Sequence, residues 1–424
     1  MRRLPDLGER LRRVGSPEVA AVLAVTVSVQ GLIVLGQFLI AFLIKPEQLG
    51  LIRWLESAFA IALLATSCGM PSVAFREAAL CTSAEARIQL IAQSAVLTSA
   101  TVTLLFLVAS VAYISVDRAS TVDEWAVLIP MAGVLWPANI ARIGVAMVQG
   151  GQLSKVVWPR LLVFSGAGVG LLCGITWLTG VKGWVTGRFV IELGLALLVV
   201  HTLVPQRPRL HLLFPDRRQR LRDVFLRGSS ANFAFLIRAV SDNLPILLLR
   251  ATLGAQSELG WYGFASLAIF LPTLLLSVLM QAKLPGLIQS VHNHTEFRKK
   301  QSRAQTHLLI GAVFGSCLLF GLAIFLHRTT VLANYAAAAL PLLILGLSLP
   351  FRALILSAGA ATVAHGRYAI SSVLALAEIF VVLVVWFFGA ANTATEMAVA
   401  VFGASALSVL PALSLIRYCR GRTQ

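Results

Sequence analysis

The sequence predicts an all-α polytopic membrane protein of about twelve transmembrane helices in two sets of six. Three observations carry that expectation. The chain holds twelve long apolar segments, only 12% of its 424 residues are charged, and one arginine-rich loop, Pro205 to Gly228 (PQRPRLHLLFPDRRQRLRDVFLRG), leaves six segments on either side. A soluble domain carries about twice that charged fraction. The composition is 58% hydrophobic with a mean hydropathy of +0.84.

A bilayer core about 30 Å thick requires roughly 20 apolar residues per helix. The expected spans are 19–44, 51–70, 88–115, 125–149, 156–178, 184–204, 229–251, 261–282, 307–327, 334–360, 368–389 and 395–416. Runs this continuously apolar exclude the two-residue alternation of a membrane barrel, leaving helices to satisfy the backbone in lipid. The expected division is an N-terminal six-helix lobe over 1–204, a basic cytoplasmic linker over 205–228 and a C-terminal six-helix lobe over 229–424.

The net charge of +17 would suggest nucleic acid in a soluble protein, but its distribution excludes that reading. Arg2, Arg3, Arg10, Arg12, Arg13, the mid-chain loop, Arg298, Lys299, Lys300, Arg303, Arg417, Arg420 and Arg422 all fall on one side of the expected topology. Fewer fall on the other: Lys45, Arg53, Arg118, Lys182, Arg188, Arg250 and Arg328. This is the positive-inside pattern, and it places both termini in the cytoplasm. Trp54, Trp125, Trp177, Trp184, Trp261 and Trp386 land at outer span ends, as an interfacial aromatic belt would. Cys68, Cys81, Cys173, Cys317 and Cys419 lie in spans or on the inner side, so no disulfide framework is expected.

The outer connections are all short, too short to fold into the external catalytic domain that membrane glycosyltransferases and polymerases use. The inner stretches 71–87 and 283–306 read as short cytoplasmic helices. Arg218, Arg220, Arg222 and Arg227 alternate with Leu221, Val224, Phe225 and Leu226. That segment is expected to lie as an amphipathic helix on the anionic leaflet, or else to be a solvated linker that only fixes topology.

A faint repeat relates the halves. Glu47-Gln48-Leu49-Gly50 opens the second span and Ser257-Glu258-Leu259-Gly260 the eighth, the Leu-Gly pairs being 210 residues apart. Spans one and seven point the same way, which implies a parallel repeat about an axis along the membrane normal.

Ionisable residues inside spans are costly and mark cavities or ion pairs. Arg142 and Arg352, again 210 residues apart, lie in spans four and ten, and Arg238 in span seven. Three guanidiniums at similar depth suit phosphate or diphosphate, because each offers a planar fork of donors and keeps its charge when desolvated. The alternative is that each is neutralised by a carboxylate and only ties helices together; Asp242, four residues after Arg238, is such a candidate. Glu192 has Arg188 one turn away. Glu378 has no basic residue within a turn of its own helix, so Glu378 and Asp242 are candidate ion- or proton-coupling sites, with Glu192 a weaker one. Pro137, Pro245, Pro272 and Pro350 interrupt spans; a bend at Pro245 could serve alternating access or be static. No GxxxxGK[ST] motif, nucleophile–base pair or metal-ligand spacing occurs, so no catalytic and no metal residues are expected.

The stretch Leu43–Glu77 (LIKPEQLGLIRWLESAFAIALLATSCGMPSVAFRE) resembles the opening of the O-antigen and exopolysaccharide flippases of the Wzx type. The resemblance rests on Pro46, Glu47, Leu49, Gly50, Gly69 and Arg76. Gln149-Gly150-Gly151-Gln152 and His365-Gly366-Arg367-Tyr368 are similar to the family's glycine turns after spans four and ten. Leu51-Ile52 departs from the aromatic usual after the first Leu-Gly, whereas Trp261-Tyr262 keeps it in the second half.

The resemblance implies the fold of the multidrug/oligosaccharidyl-lipid/polysaccharide (MOP) exporters: two MATE-like six-helix lobes around a cavity that opens alternately to each side. It implies a transporter, not an enzyme, in the bacterial inner membrane. Such a protein flips a polyprenyl-diphosphate-linked oligosaccharide outward without a cofactor, in contact with membrane lipids and beside polysaccharide polymerase or export machinery. A Na⁺- or H⁺-coupled multidrug or metabolite antiporter of the same fold is the second expectation.

Overall fold

The structure is a computed structural model describing residues 31–71, 73–75, 94–108, 122–150, 154–203, 218–252, 256–329, 332–365 and 368–421. It is all-helical. In chain order the helices are α1 (Gly31–Leu43), α2 (Pro46–Ser67), α3 (Ser94–Val108), α4 (Val122–Gly150), α5 (Ser154–Leu203), α6 (Arg218–Ala251), α7 (Gln256–Gln289) and α8 (His294–Arg328). A 3₁₀ turn (Ala333–Ala338) follows, then α9 (Ala339–Leu347), α10 (Leu349–Ala364), α11 (Tyr368–Phe387) and α12 (Ala394–Gly421).

Among the described residues seven helices are long and apolar enough to cross a membrane, or eight if the bent pair α9–α10 makes one span. α5 supplies two crossings, and α1, α3 and α11 are shorter apolar helices inside expected spans one, three and eleven. Each of the twelve expected spans therefore meets a helix. Leu178, Phe314, Phe380 and Phe387 are exposed on these helices. Such apolar surface is a fault in water and the normal outer face of a helix in lipid.

α5 explains itself from its glycines. At 50 residues it would be about 75 Å long if straight, more than twice the hydrocarbon thickness. Gly180 takes φ 64°, ψ −139°, open to glycine and strained for other residues, and turns the chain there. The arms then face each other with small residues at the contacts. A Cβ on Gly187 would stand 2.8 Å from Leu172 Cδ1, and one on Gly194 2.7 Å from Phe164 Cζ. A Cβ on Gly168 would stand 3.4 Å from Ile191 Cδ1, an ordinary contact. Partners that move apart symmetrically about Gly180 define an antiparallel hairpin, which is spans five and six.

Span ten differs from one continuous helix. It bends by 40° where α9 ends at Leu347 and α10 begins at Leu349. Pro350 sits in the first turn of α10, where its missing N–H costs nothing, so it starts a helix instead of interrupting one. The inner stretch 283–306 is a continuation of two spans around a turn: α7 runs to Gln289, and Asn293 caps α8 by accepting from the Glu296 N–H at 3.2 Å. Of 71–87, only 71 and 73–75 are described, and they are helical; the rest of that expected helix lies outside the described residues. Arg218–Gly228 is helical and runs without a break into span seven. Trp184 is fully buried, not interfacial, so it packs the interior of its unit in place of the belt expected of it.

The chain forms two compact units, residues 51–243 and residues 1–50 with 244–424. Both crossings between them fall inside helices, after the first turn of α2 and two residues before Pro245 in α6. The unit containing 244–424 thus takes in the first span, whereas the expected lobes assign that span to 1–204. Its hold on α1 is aromatic and backbone-mediated. Phe38 meets Phe264 edge-on at 5.6 Å, Phe264 lies 5.0 Å from Tyr335, and the Tyr335 hydroxyl donates to the Ile44 carbonyl at 3.2 Å.

Candidate substrate site and its supporting network

The two Leu-Gly pairs of the sequence repeat touch. A Cβ on Gly50 would come 2.7 Å from the Gly260 nitrogen, and one on Gly260 would overlap the Pro46 carbonyl. The first turns of α2 and α7 cross backbone on backbone, an approach that only glycine permits. Beside the crossing, Trp261 Nε1 donates to the Asn334 carbonyl at 3.0 Å, and Glu258 accepts from the Ala394 N–H at 2.7 Å.

In the unit 51–243, Arg188 and Glu192 form an ion pair at 2.9 Å on the second arm of α5, with Glu192 buried. Arg188 also lies 5.8 Å from the Phe59 ring centroid, in cation–π range. Arg142, on α4, is within electrostatic reach of both Glu192 and Arg188, while the ion pair itself joins Glu192 to Arg188. The packing that brings α4 to this arm uses Gly144, where a Cβ would overlap Val199. Arg142 is exposed. Among the described residues no carboxylate stands within ion-pair distance of it.

Arg238 and Asp242 form a two-pronged pair along α6, Nη2 to Oδ1 at 3.0 Å and Nε to Oδ2 at 3.2 Å. Both side chains are about two-fifths exposed, at 37% and 43%. The charge of Asp242 is already matched.

In the other unit, Arg352 lies in the first turn of α10, beside Phe351, whose ring meets Phe402 of α12 at 5.5 Å. Arg352 is partly buried, and its Nε is buried with no hydrogen-bond acceptor among the described residues. A buried donor left unmatched costs about 1–3 kcal/mol. Glu378 is buried on α11, one turn beyond Leu374, which packs on Ile355, Ala358, Ala412 and Ile416. It has an interaction partner in the fold, so the isolated carboxylate read from its own helix is not isolated in space.

Sequence reasoning weighed charges and passed over a neutral polar network at the other end of α2. There Cys68 and Gly69 take φ 48° and 73°, breaking the helix. Three other helices hold the freed end. Thr101 of α3 donates to the Thr66 carbonyl at 2.6 Å, Asn139 of α4 to Thr66 Oγ1 at 3.0 Å, and Asn232 of α6 to the Leu64 carbonyl at 2.8 Å. Asn139 is fully buried and three residues from Arg142, on the same helical face. A lone asparagine inside an apolar span was the available signal.

No protein-family model matches this chain, and no curated protein matches it in sequence. Solved structures do. An inward-facing multidrug resistance MATE family transporter of the MOP superfamily is similar over 94% of this chain and 96% of its own, at 13% identity and TM-score 0.73. The lipid II flippase MurJ in an inward closed conformation is similar over 93% and 87%, at 14% identity and TM-score 0.71. A MOP superfamily transporter from Pyrococcus furiosus, described as having a binding pocket of reverse polarity that suggests a different function, is similar over 99% and 98%, at 14% identity and TM-score 0.62. The chain is an all-helical, multi-span membrane protein that shares the fold of these structures over nearly its whole length.

Proposed function

We propose that this protein is a flippase that moves a polyprenyl-diphosphate-linked oligosaccharide from the inner to the outer leaflet during surface polysaccharide biosynthesis. The observation that carries the reading is the imbalance of charge inside the spans. Asp242 is matched by Arg238, Glu192 is paired with Arg188 within electrostatic reach of Arg142, and Arg352 keeps a buried donor without an acceptor among the described residues. A diphosphate supplies the acceptors that the fold withholds, in the planar two-oxygen geometry that guanidinium prefers. Arg142 and Arg352 hold the diphosphate in this account, with Arg238 a secondary contact. The polyprenyl chain stays in lipid, and the product passes to a polymerase or export machinery. The protein sits in the bacterial cytoplasmic membrane with both termini inside, and the Wzx-like residues Pro46 to Gly50 and the pseudo-repeat of six and six spans support this assignment. Arg142→Ala and Arg352→Ala are each expected to accumulate lipid-linked glycan on the cytoplasmic side at unchanged protein level. Full surface polysaccharide in both variants would sink the reading.

A second reading, a Na⁺- or H⁺-coupled antiporter of organic cations, draws on the buried carboxylate of Glu378. It requires an anionic site, and proton-competed binding of a cationic dye lost in Glu378→Gln would favour it.

A further inference from the structure

We propose that the inner ends of α7 and α8 form a binding site for the headgroup of an anionic phospholipid, separate from the arginines assigned to substrate. A cavity of about 290 Å³ opens there, lined by Leu279 and Lys283 of α7 and by Ala304, His307 and Leu308 of α8. Its two halves differ in chemistry. Leu279, Ala304 and Leu308 make an apolar floor; Lys283 and His307, both exposed, make a polar rim.

The depth of the site matches a headgroup. Lys283 directly follows the apolar stretch of α7, and His307 directly precedes that of α8, so the rim falls where hydrocarbon meets water. Below it the helices run antiparallel and close. Gly311 faces Leu276 and Leu279, and Gly315 faces Pro272. Leu275 and Leu279 on α7 are exposed, as are Ile310 and Phe314 on α8, so an acyl chain has apolar surface to follow downward.

The charge is one-sided. Arg303 and Lys299 are exposed and stand one and two turns before His307 on the same face of α8. Between Lys283 and His307 the only acid is Glu296, which is engaged by Lys300 at 2.7 Å, while Lys300 also donates to the Gly286 carbonyl at 3.3 Å. Among the described residues Lys283 has no acidic partner. A phosphodiester accepts from both the ammonium and the imidazole N–H, whereas a zwitterionic choline headgroup brings a cation to a rim that already has several. The inner-leaflet placement rests on the topology proposed above; the site does not depend on what the protein transports.

The test uses the purified full-length protein in detergent, with bound lipid counted by native mass spectrometry during titration with phosphatidylglycerol or phosphatidylcholine. Phosphatidylglycerol is expected to bind in preference. Lys283→Gln should weaken it roughly fivefold, as expected for one basic charge at a membrane surface. Adding His307→Gln should weaken it further, while Arg328→Gln, at the other end of α8, should leave it unchanged. Inorganic phosphate at millimolar concentration should not displace the lipid. Equal binding of the two lipids, or an unchanged affinity in the double variant, would overturn the site. Displacement by inorganic phosphate would overturn it as well, by assigning the rim to a free anion.

Discussion

Arg142 and Arg352 occupy corresponding spans of the sequence repeat, yet their surroundings differ. On α4, Arg142 lies within electrostatic reach of Glu192, which is ion-paired with Arg188, so its charge is tempered before any substrate arrives. On α10, Arg352 likewise has no carboxylate within ion-pair distance among the described residues, but one of its donors is buried unmatched. The same residue type at repeated positions therefore carries unequal demand for an anion. A repeat conserves the position of a charge, while neighbouring helices decide how much of that charge is left to act.

The comparison orders the expected effects. Arg352→Ala should be the most damaging, lowering affinity for a polyprenyl diphosphate at least about thirtyfold, the loss expected when a desolvated, hydrogen-bonded charge pair is truncated. Arg352→Lys should not restore it, because an ammonium lacks the planar fork. Arg142→Ala should cost about tenfold or less, since Arg188 remains beside Glu192 and takes over part of the field; a loss larger than that of Arg352→Ala would reverse the comparison.

Glu192→Gln should act in the opposite direction on binding. It removes the carboxylate that pairs with Arg188 and lies within electrostatic reach of Arg142, so affinity for the diphosphate should rise by a few fold while the melting temperature falls, because the partly buried Arg188 loses its partner. Weaker diphosphate binding in this variant would mean that Glu192 orients Arg142 instead of tempering it. The smallest effect should come from Asp242→Asn. Its pair with Arg238 is two-fifths exposed and runs along one helix, so stability should change by no more than about 1 kcal/mol, readable as a small shift in thermal unfolding.

What the sequence made legible was whatever a long apolar run encodes. The twelve spans meet helices, and the turn between spans five and six falls at Gly180, inside the gap left between 178 and 184. The break in span ten escaped because Leu347, Ser348 and Leu349 sit in an apolar window that hydropathy reads straight through. The paired Leu-Gly motifs suggested equivalence but not contact; that Gly50 and Gly260 meet backbone on backbone is a tertiary fact no spacing encodes. The i,i+4 pairs Arg188–Glu192 and Arg238–Asp242 were legible because both partners ride one helix. The link from Arg142 to Glu192 was not, since it joins residues far apart in the chain. The Thr66–Thr101–Asn139–Asn232 network was passed over because uncharged polar residues barely lower the hydropathy of a span.

The central claim is that the charge left unmatched inside the spans is positive and meets a diphosphate. Titrating the purified protein with a polyprenyl diphosphate and, separately, with a cationic dye tests it most directly. Saturable binding of the diphosphate that is lost in Arg352→Ala, with no binding of the dye, is the predicted result. Saturable dye binding competed by protons, with the diphosphate failing to bind the wild-type protein, would contradict it.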